Sequence, residues 1–206
     1  MIVALDGPAA SGKGTLARRL AQHFGYHYLD TGSLYRAVGM SVVRAGGDPA
    51  NEGHAIAAAK ALDLASVSPA DLKSDVAGNA ASMVSVIPQV RALLLDFQRN
   101  FAKKTPGSVL DGRDIGTVVC PDAQAKIFVT ASLEVRVGRR IAELRERGES
   151  VNEQRVWEDM KARDARDSDR SVSPLKPADD AYILDTSKMD ADQAFETAKA
   201  YIATKI

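Results

Sequence analysis

Gly7, Pro8, Ala9, Ala10, Ser11, Gly12, Lys13, Gly14 and Thr15 form an unbroken run near the start of the chain. Glycines at such spacing let successive backbone N–H groups turn inward into a concave anion site, and a helix beginning at its end adds the positive pole of its dipole. Lys13 would then reach the β- and γ-phosphates of a nucleotide, and Thr15 would offer a hydroxyl to magnesium. The strict phosphate-loop pattern has Ser or Thr directly after the lysine, whereas here Gly14 intervenes. A glycine-rich turn capping a helix, with a solvated lysine, uses the same letters; the strand before and the helix after favour the phosphate-binding reading. Asp111 follows the apolar pair Val109 and Leu110. A carboxylate at such a strand end can hold magnesium through water beneath the phosphates, although acids there also serve as plain turn residues.

Three further clusters concentrate charge: residues 31–36, Arg113 with Asp114, and residues 163–170. Arg163, Asp167 and Arg170 continue, at helical spacing, the face that Val156 and Met160 set as apolar. Charged groups at such positions are expected to face a polar cleft. A solvated helix end with intrahelical Arg–Asp pairs, worth roughly 0.2–0.5 kcal/mol each, would carry the same residues.

The elements that must position these groups alternate. Residues 2–5 read as a buried strand, and Leu16, Leu20 and Phe24 as one face of a helix that Gly25 ends. A second strand is expected over residues 26–29, then a helix capped by Ser33 or Thr31 that turns Leu34, Val38 and Val42 inward until residues 46–49 stop it. Residues 51–83 are alanine-rich, with serines and Pro69, and read as short helices. Pro88 starts a helix whose apolar face is expected to hold Val90, Leu93, Leu94, Phe97 and Phe101. Val109 with Leu110, and residues 127–129, read as buried parallel strands. A helix from Ser132 has Leu133, Val137, Ile141 and Leu144 on one side and Arg136, Arg140, Glu143 and Arg147 on another, before Gly148 closes it. Residues 182–184 give a last strand, and Asp190 with Gln193 resembles a capping pair before a helix with Phe195, Ala198 and Ile202. Strands alternating with helices call for a parallel sheet covered on both faces.

A chain of 206 residues, 45% hydrophobic, can bury one substantial core and is short for two enzymatic domains. Its 27 basic and 27 acidic residues balance, so no global field favours nucleic acid or an anionic membrane, and an anionic ligand needs a local cluster of cations. Cys120 is the only cysteine, which excludes an internal disulfide and suits a reducing cytoplasm; it reads as a small hydrophobe. Asp6 and Gly7 break the N-terminal apolar run, so a signal peptide is not expected, nor is a membrane span or an obligate partner. A cytoplasmic monomer is the expectation.

The stretches GPAASGKGT from residue 7, LDTGSLYR from 29, NAAS from 79, DGRDIGT from 111 and ARDARDSDRSVSPL from 162 resemble the bacterial cytidylate kinases, a branch of the nucleoside monophosphate kinases in which the Gly14 variant of the phosphate loop is familiar. The last two stretches are the most specific. The resemblance implies an α/β phosphate-loop kinase fold, a five-stranded parallel sheet in one domain over residues 1–206, with an acceptor-binding region at 33–105 and a lid at 132–170. It implies ATP with Mg2+ as donor, CMP and dCMP as acceptors, and residues 7–15 with Arg136 around ATP. Thr31, Arg36, Ser82, Arg91, Arg113, Asp114, Arg163, Asp167 and Arg170 are implied to hold the acceptor: Arg36, Arg113 and Arg170 on phosphate, Ser82, Arg91 and Asp114 around cytosine, Arg163 and Asp167 on the sugar. Lys13, Arg113, Arg140 and Arg170 are implied to serve catalysis, with Arg136, Arg139 and Arg140 resembling the basic cluster that covers ATP, and Thr15 and Asp111 to hold the metal. Residues 63–78 are too few for the β-rich insertion of longer members.

Chemistry supports the base assignment separately. Cytosine presents an exocyclic amine beside acceptors at N3 and O2, so a carboxylate such as Asp114 beside a guanidinium such as Arg91 matches its edge. Uracil presents an oxygen in place of the amine, and a good bidentate pair discriminates by about 1–3 kcal/mol. Kinases for uridylate, a deoxynucleotide or a sugar acid are the nearest alternatives. A nucleotide-dependent switch is the alternative from another class, but it leaves the arginine clusters without a task.

Overall fold

Strands β1 (Ile2–Asp6), β2 (His27–Asp30), β3 (Ser108–Gly112), β4 (Ala125–Thr130) and β5 (Tyr182–Asp185) form one parallel sheet in the order β2-β3-β1-β4-β5. The computed structural model describes residues 1–63, 72 and 74–206. Side chains alternate between the faces of a strand, so β1 serves two cores. Val3 and Leu5, with Val109, Ile127, Val129 and Leu184, pack under α1 (Lys13–Phe24) and α8 (Ala191–Ala203). Ala4 and Leu110 face the other way, onto Ala102 of α5 (Pro88–Ala102), Ile115 and Val119. Leu110 is 0% exposed, and truncating such a side chain to alanine costs about 2–5 kcal/mol.

Two smaller cores hang from this sheet. Helices α2 (Thr31–Arg44), α3 (Glu52–Lys60), α4 (Asp75–Val84) and α5 share Leu34, Val38, Ala55, Ala59, Ala81, Val84, Val90 and Leu94. Helices α6 (Leu133–Glu146) and α7 (Glu153–Ser168) bury Val137, Ile141 and Met160, with Ala10 of the glycine loop packed against them. The expected caps recur: Gly25 at φ 65° ends α1, Ser132 accepts from the Val135 amide, Gly148 at φ 74° follows α6, and Asp190 with Gln193 makes a complete capping box.

Three expectations change. The cap of α2 is Asp30, whose carboxylate accepts from the Ser33 amide at 3.2 Å; Thr31 is already helical, and its hydroxyl donates to the Asp111 carbonyl at 2.7 Å. Strand β2 lies one residue later than expected because pairing with β3 runs from His27↔Ser108 to Asp30↔Asp111. Along α5, Leu93 and Phe97 are 42% and 43% exposed, while Val90, Arg91, Leu94, Gln98 and Ala102 are buried. The most apolar stripe is not the buried one, since Arg91 turns inward to an acidic partner. Helices α3 and α4 are the short helices expected within 51–83; the part around Pro69 lies outside the described residues. No single helix among the described residues is long and apolar enough to cross a membrane.

Candidate active site

The glycine loop leaves β1 at Gly7, where φ is 152° and a Cβ would stand 2.0 Å from the Val129 carbonyl oxygen; only glycine fits. Ala10 at φ 57° and Gly12 at φ 88° continue the curl, and α1 starts without a side-chain cap, leaving its first amides open to an anion. Lys13 Nζ donates to the Pro8 carbonyl at 3.2 Å. Arg136, buried, braces the loop through the Ala9 carbonyl at 3.3 Å and is held by both oxygens of Asp164 at 3.1 and 2.6 Å. Arg139 donates to the carbonyls of Ser11 at 3.3 Å and Thr186 at 2.7 Å.

Beyond the loop lies a cavity of about 310 Å³ that brings Lys13, Thr31, Arg36, Ser82, Arg91, Asp111, Arg113, Asp114, Arg163, Asp167 and Arg170 together, as the sequence implied. Three guanidiniums are paired: Arg36 Nη2 to Asp30 at 2.5 Å, Arg91 Nη2 to Asp114 at 2.5 Å and Arg113 Nε to Asp167 at 2.7 Å. Lys13, Arg163 and Arg170 form no ion pair among the described residues. Buried nitrogens of Arg36, Arg91, Arg163 and Arg170 also lack hydrogen-bond partners. Burial, then the Arg113 guanidinium, pushes Arg163 down to about 10, and the same two causes push the Lys13 ammonium down from the lysine range. Burial would raise Asp167, but Arg113 and Arg163 hold it below the usual carboxylate range. Excess positive charge with unsatisfied donors is a site built for a polyanion.

Asp111 is 4% exposed and lies opposite Asp30 in the sheet; burial, then Asp30, pushes its carboxyl up to about 6. The Tyr28 hydroxyl donates to it at 3.4 Å, and its Oδ2 lies 3.1 Å from where a Cβ on Gly14 would stand. Thr15 and Arg140, implied for the metal and for catalysis, do not line this cavity. Thr15 is exposed and lines a separate cavity of about 240 Å³ with Ser11, Gly12, Arg139, Thr186 and Met189. Arg140 lines a wider cleft of about 850 Å³ and is held by Asp75 of α4 and by Glu143.

Sequence reasoning gave no place to Asp30, Arg166, Thr186 or Met189. Arg166 Nε donates to the Ser82 hydroxyl at 3.0 Å, and its membership in the late arginine–aspartate run was the available signal. Thr186 and Met189 follow β5 as ordinary turn residues and carry no such signal.

A glycine loop between β1 and α1 of a parallel sheet, facing converging arginines, defines a phosphate-loop kinase. The profile of the cytidylate kinase family matches residues 3–204, so the chain belongs to that family. It is 59% identical over 209 residues to the cytidylate kinase of Rhodospirillum rubrum, covering 100% of this chain and 98% of the relative. To the cytidylate kinase of Paramagnetospirillum magneticum it is 58% identical over 207 residues, covering 99% and 98%. An uncharacterized protein from Eubacterium ventriosum has the same fold with a TM-score of 0.59 at 18% identity, covering 99% of this chain and 98% of that one.

Proposed function

We propose that this chain transfers the γ-phosphate of ATP to the 5′-phosphate of CMP and dCMP. The observation that carries the reading is one cavity that holds the unpaired Lys13, Arg163 and Arg170 together with the Arg91–Asp114 pair. The acceptor oxygen is already anionic, so the reaction needs in-line positioning and charge stabilisation rather than a strong base or a covalent intermediate. Arg36 and Arg113 take the acceptor phosphate, exchanging their carboxylate partners for phosphate oxygens, Arg170 joins them without a partner to give up, and Arg163 with Asp167 takes the sugar. Asp114 accepts from the cytosine amine while Arg91 and Ser82 face the rest of its edge.

On the donor side, residues 7–15 cradle the phosphates and Arg136 keeps that loop in shape. The 240 Å³ cavity beside Arg139 takes the donor base. Asp111 suits Mg2+, a hard cation that one or two carboxylates and substrate phosphates hold: it is a buried carboxylate without an ion pair among the described residues, and the loop runs against it, whereas Thr15, implied as its partner, lines the separate cavity and is not assigned to the ion. When bound, magnesium neutralises charge on the β- and γ-oxygens. Residues 33–105 form the acceptor region and residues 132–170 the lid, with Arg140 released from Asp75 on closure to serve the transferring group. The protein works as a cytoplasmic monomer.

The test is an acceptor panel of CMP, dCMP, UMP and a sugar acid in an ADP-release assay. CMP and dCMP should give the highest kcat/KM, and a higher value for UMP or the sugar acid would overturn the assignment.

A further inference from the structure

Asp114 stands at the start of a single π-helical turn, Ile115–Val119, yet its side chain caps nothing there. Its backbone carbonyl takes the amides of Val118 and Val119 at 2.9 and 3.1 Å, while its carboxylate is turned away to Arg91. The first amides of the turn are bonded from another element. Asp6, the last residue of β1, accepts from Ile115 N through Oδ1 at 2.7 Å and from Gly116 N through Oδ2 at 2.8 Å. Asp6 is 5% exposed, and burial pushes its carboxyl up to about 7 even though these two amides pull it down. Retaining an acid in such a place is costly unless those amides need it. Arg99 closes the far end of the turn through the carbonyls of Val118 and Val119, both at 3.2 Å.

We propose that Asp6 is a positioning residue for acceptor recognition: it caps the turn in place of Asp114, which frees the Asp114 carboxylate to hold Arg91 against the acceptor base. A residue in the N-cap place with an acidic side chain ordinarily bonds the amides that follow it. Without the remote cap, Arg91 and the amides of the turn would compete for the one Asp114 carboxylate. Asp6 also directly precedes Gly7, so one side chain ties the root of the donor loop to the acceptor reader. The proposal rests on the reading that Asp114 and Arg91 meet the acceptor base.

The experiment is Asp6→Asn, which puts a donor amide against one of the two N–H groups, measured on protein whose circular dichroism matches the wild type. KM for CMP should rise about 10-fold with KM for ATP changed less than about 2-fold, and in an Asp114→Ala background the same substitution should change KM for CMP less than about 2-fold. A merely structural role would raise both KM values together and persist undiminished in the Asp114→Ala background; either result overturns the proposal. Asp114→Ala alone tests the underlying reading separately, since an unchanged KM for CMP there removes Asp114 from the acceptor site. Should Asp6→Asn not fold, Gly116→Ala probes the same bond: its Cβ would lie 3.4 Å from Asp6 Oδ2 and 3.2 Å from the Lys126 stem. A rise of about 3-fold in KM for CMP alone supports the proposal, and an unchanged value overturns it.

Discussion

Residues 7–15 are one continuous stretch running from the end of β1 into α1, whereas Arg36, Arg91, Asp114 and Arg163 come from α2, α5, the turn after β3 and α7. The loop is fixed by neighbours in sequence and by the sheet beneath it. The arginine cluster is fixed by helices that have their own small cores, one around Leu34 and Val90, the other around Val137 and Met160. A backbone site of the first kind is rigid and tolerant of side-chain change outside its glycines and lysine. A side-chain site of the second kind can open, close and change specificity by moving or replacing single residues.

The largest effect that would sharpen this contrast is Lys13→Ala. On the reading that Lys13 serves the transferring phosphoryl group, removing its ammonium should lower kcat by about 10³-fold. The Kd for CMP should stay within about 2-fold, because the acceptor is held by other residues. Stopped-flow turnover and calorimetric CMP binding read the two effects, and an equal loss in both would mean that the regions are not separable.

Next in size is Asp114→Asn. The amide offers a donor to the O4 of uracil and takes an acceptor from cytosine, so the CMP-over-UMP ratio of kcat/KM should fall by about 10- to 100-fold, mainly through CMP. If Asp114 only orients Arg91 across their 2.5 Å contact, both acceptors should lose the same factor.

The smallest effect concerns the seam between the regions. Burial, with a smaller push from Asp114, raises the Asp6 carboxyl to about 7 from an ordinary 3.8, against the pull of the two amides and Lys13. Between those values the folded protein keeps a proton that the unfolded chain has released, so this group's contribution to stability is full below about 4 and is lost as pH rises through about 7. The urea midpoint of the wild type should therefore decline over that window relative to Asp6→Asn, and parallel curves would show that Asp6 is not protonated in the fold.

Much of this was legible in the chain because it is local. Lys13 after a strand and a glycine loop, the capping pair Asp190 and Gln193, and the apolar 4-residue spacing of α1 each depend on contacts within a turn or two of sequence. The failures were also physical. Leu93 and Phe97 were expected inside α5 on hydrophobicity, but Arg91 and Gln98 lie on the buried stripe, Arg91 bonded to Asp114 23 residues away and Gln98 to the Leu94 carbonyl. Asp30 was passed over as the cap of α2 because Thr31 and Ser33 are equally good capping types on paper.

The sequence by itself determined the strand–loop–helix that opens the chain, the alternation that makes a parallel sheet, and the residue types able to clamp phosphate, since each is encoded in spacing and side-chain chemistry over short distances. Only the tertiary structure decided which arginines are paired and which stand free. It also set Thr15 and Arg140 apart from the cavity at Lys13, and handed the capping of the Ile115–Val119 turn to Asp6. Those outcomes depend on which elements meet in space, and a charge separated from its partner by 54 or 109 residues carries no local mark of that pairing.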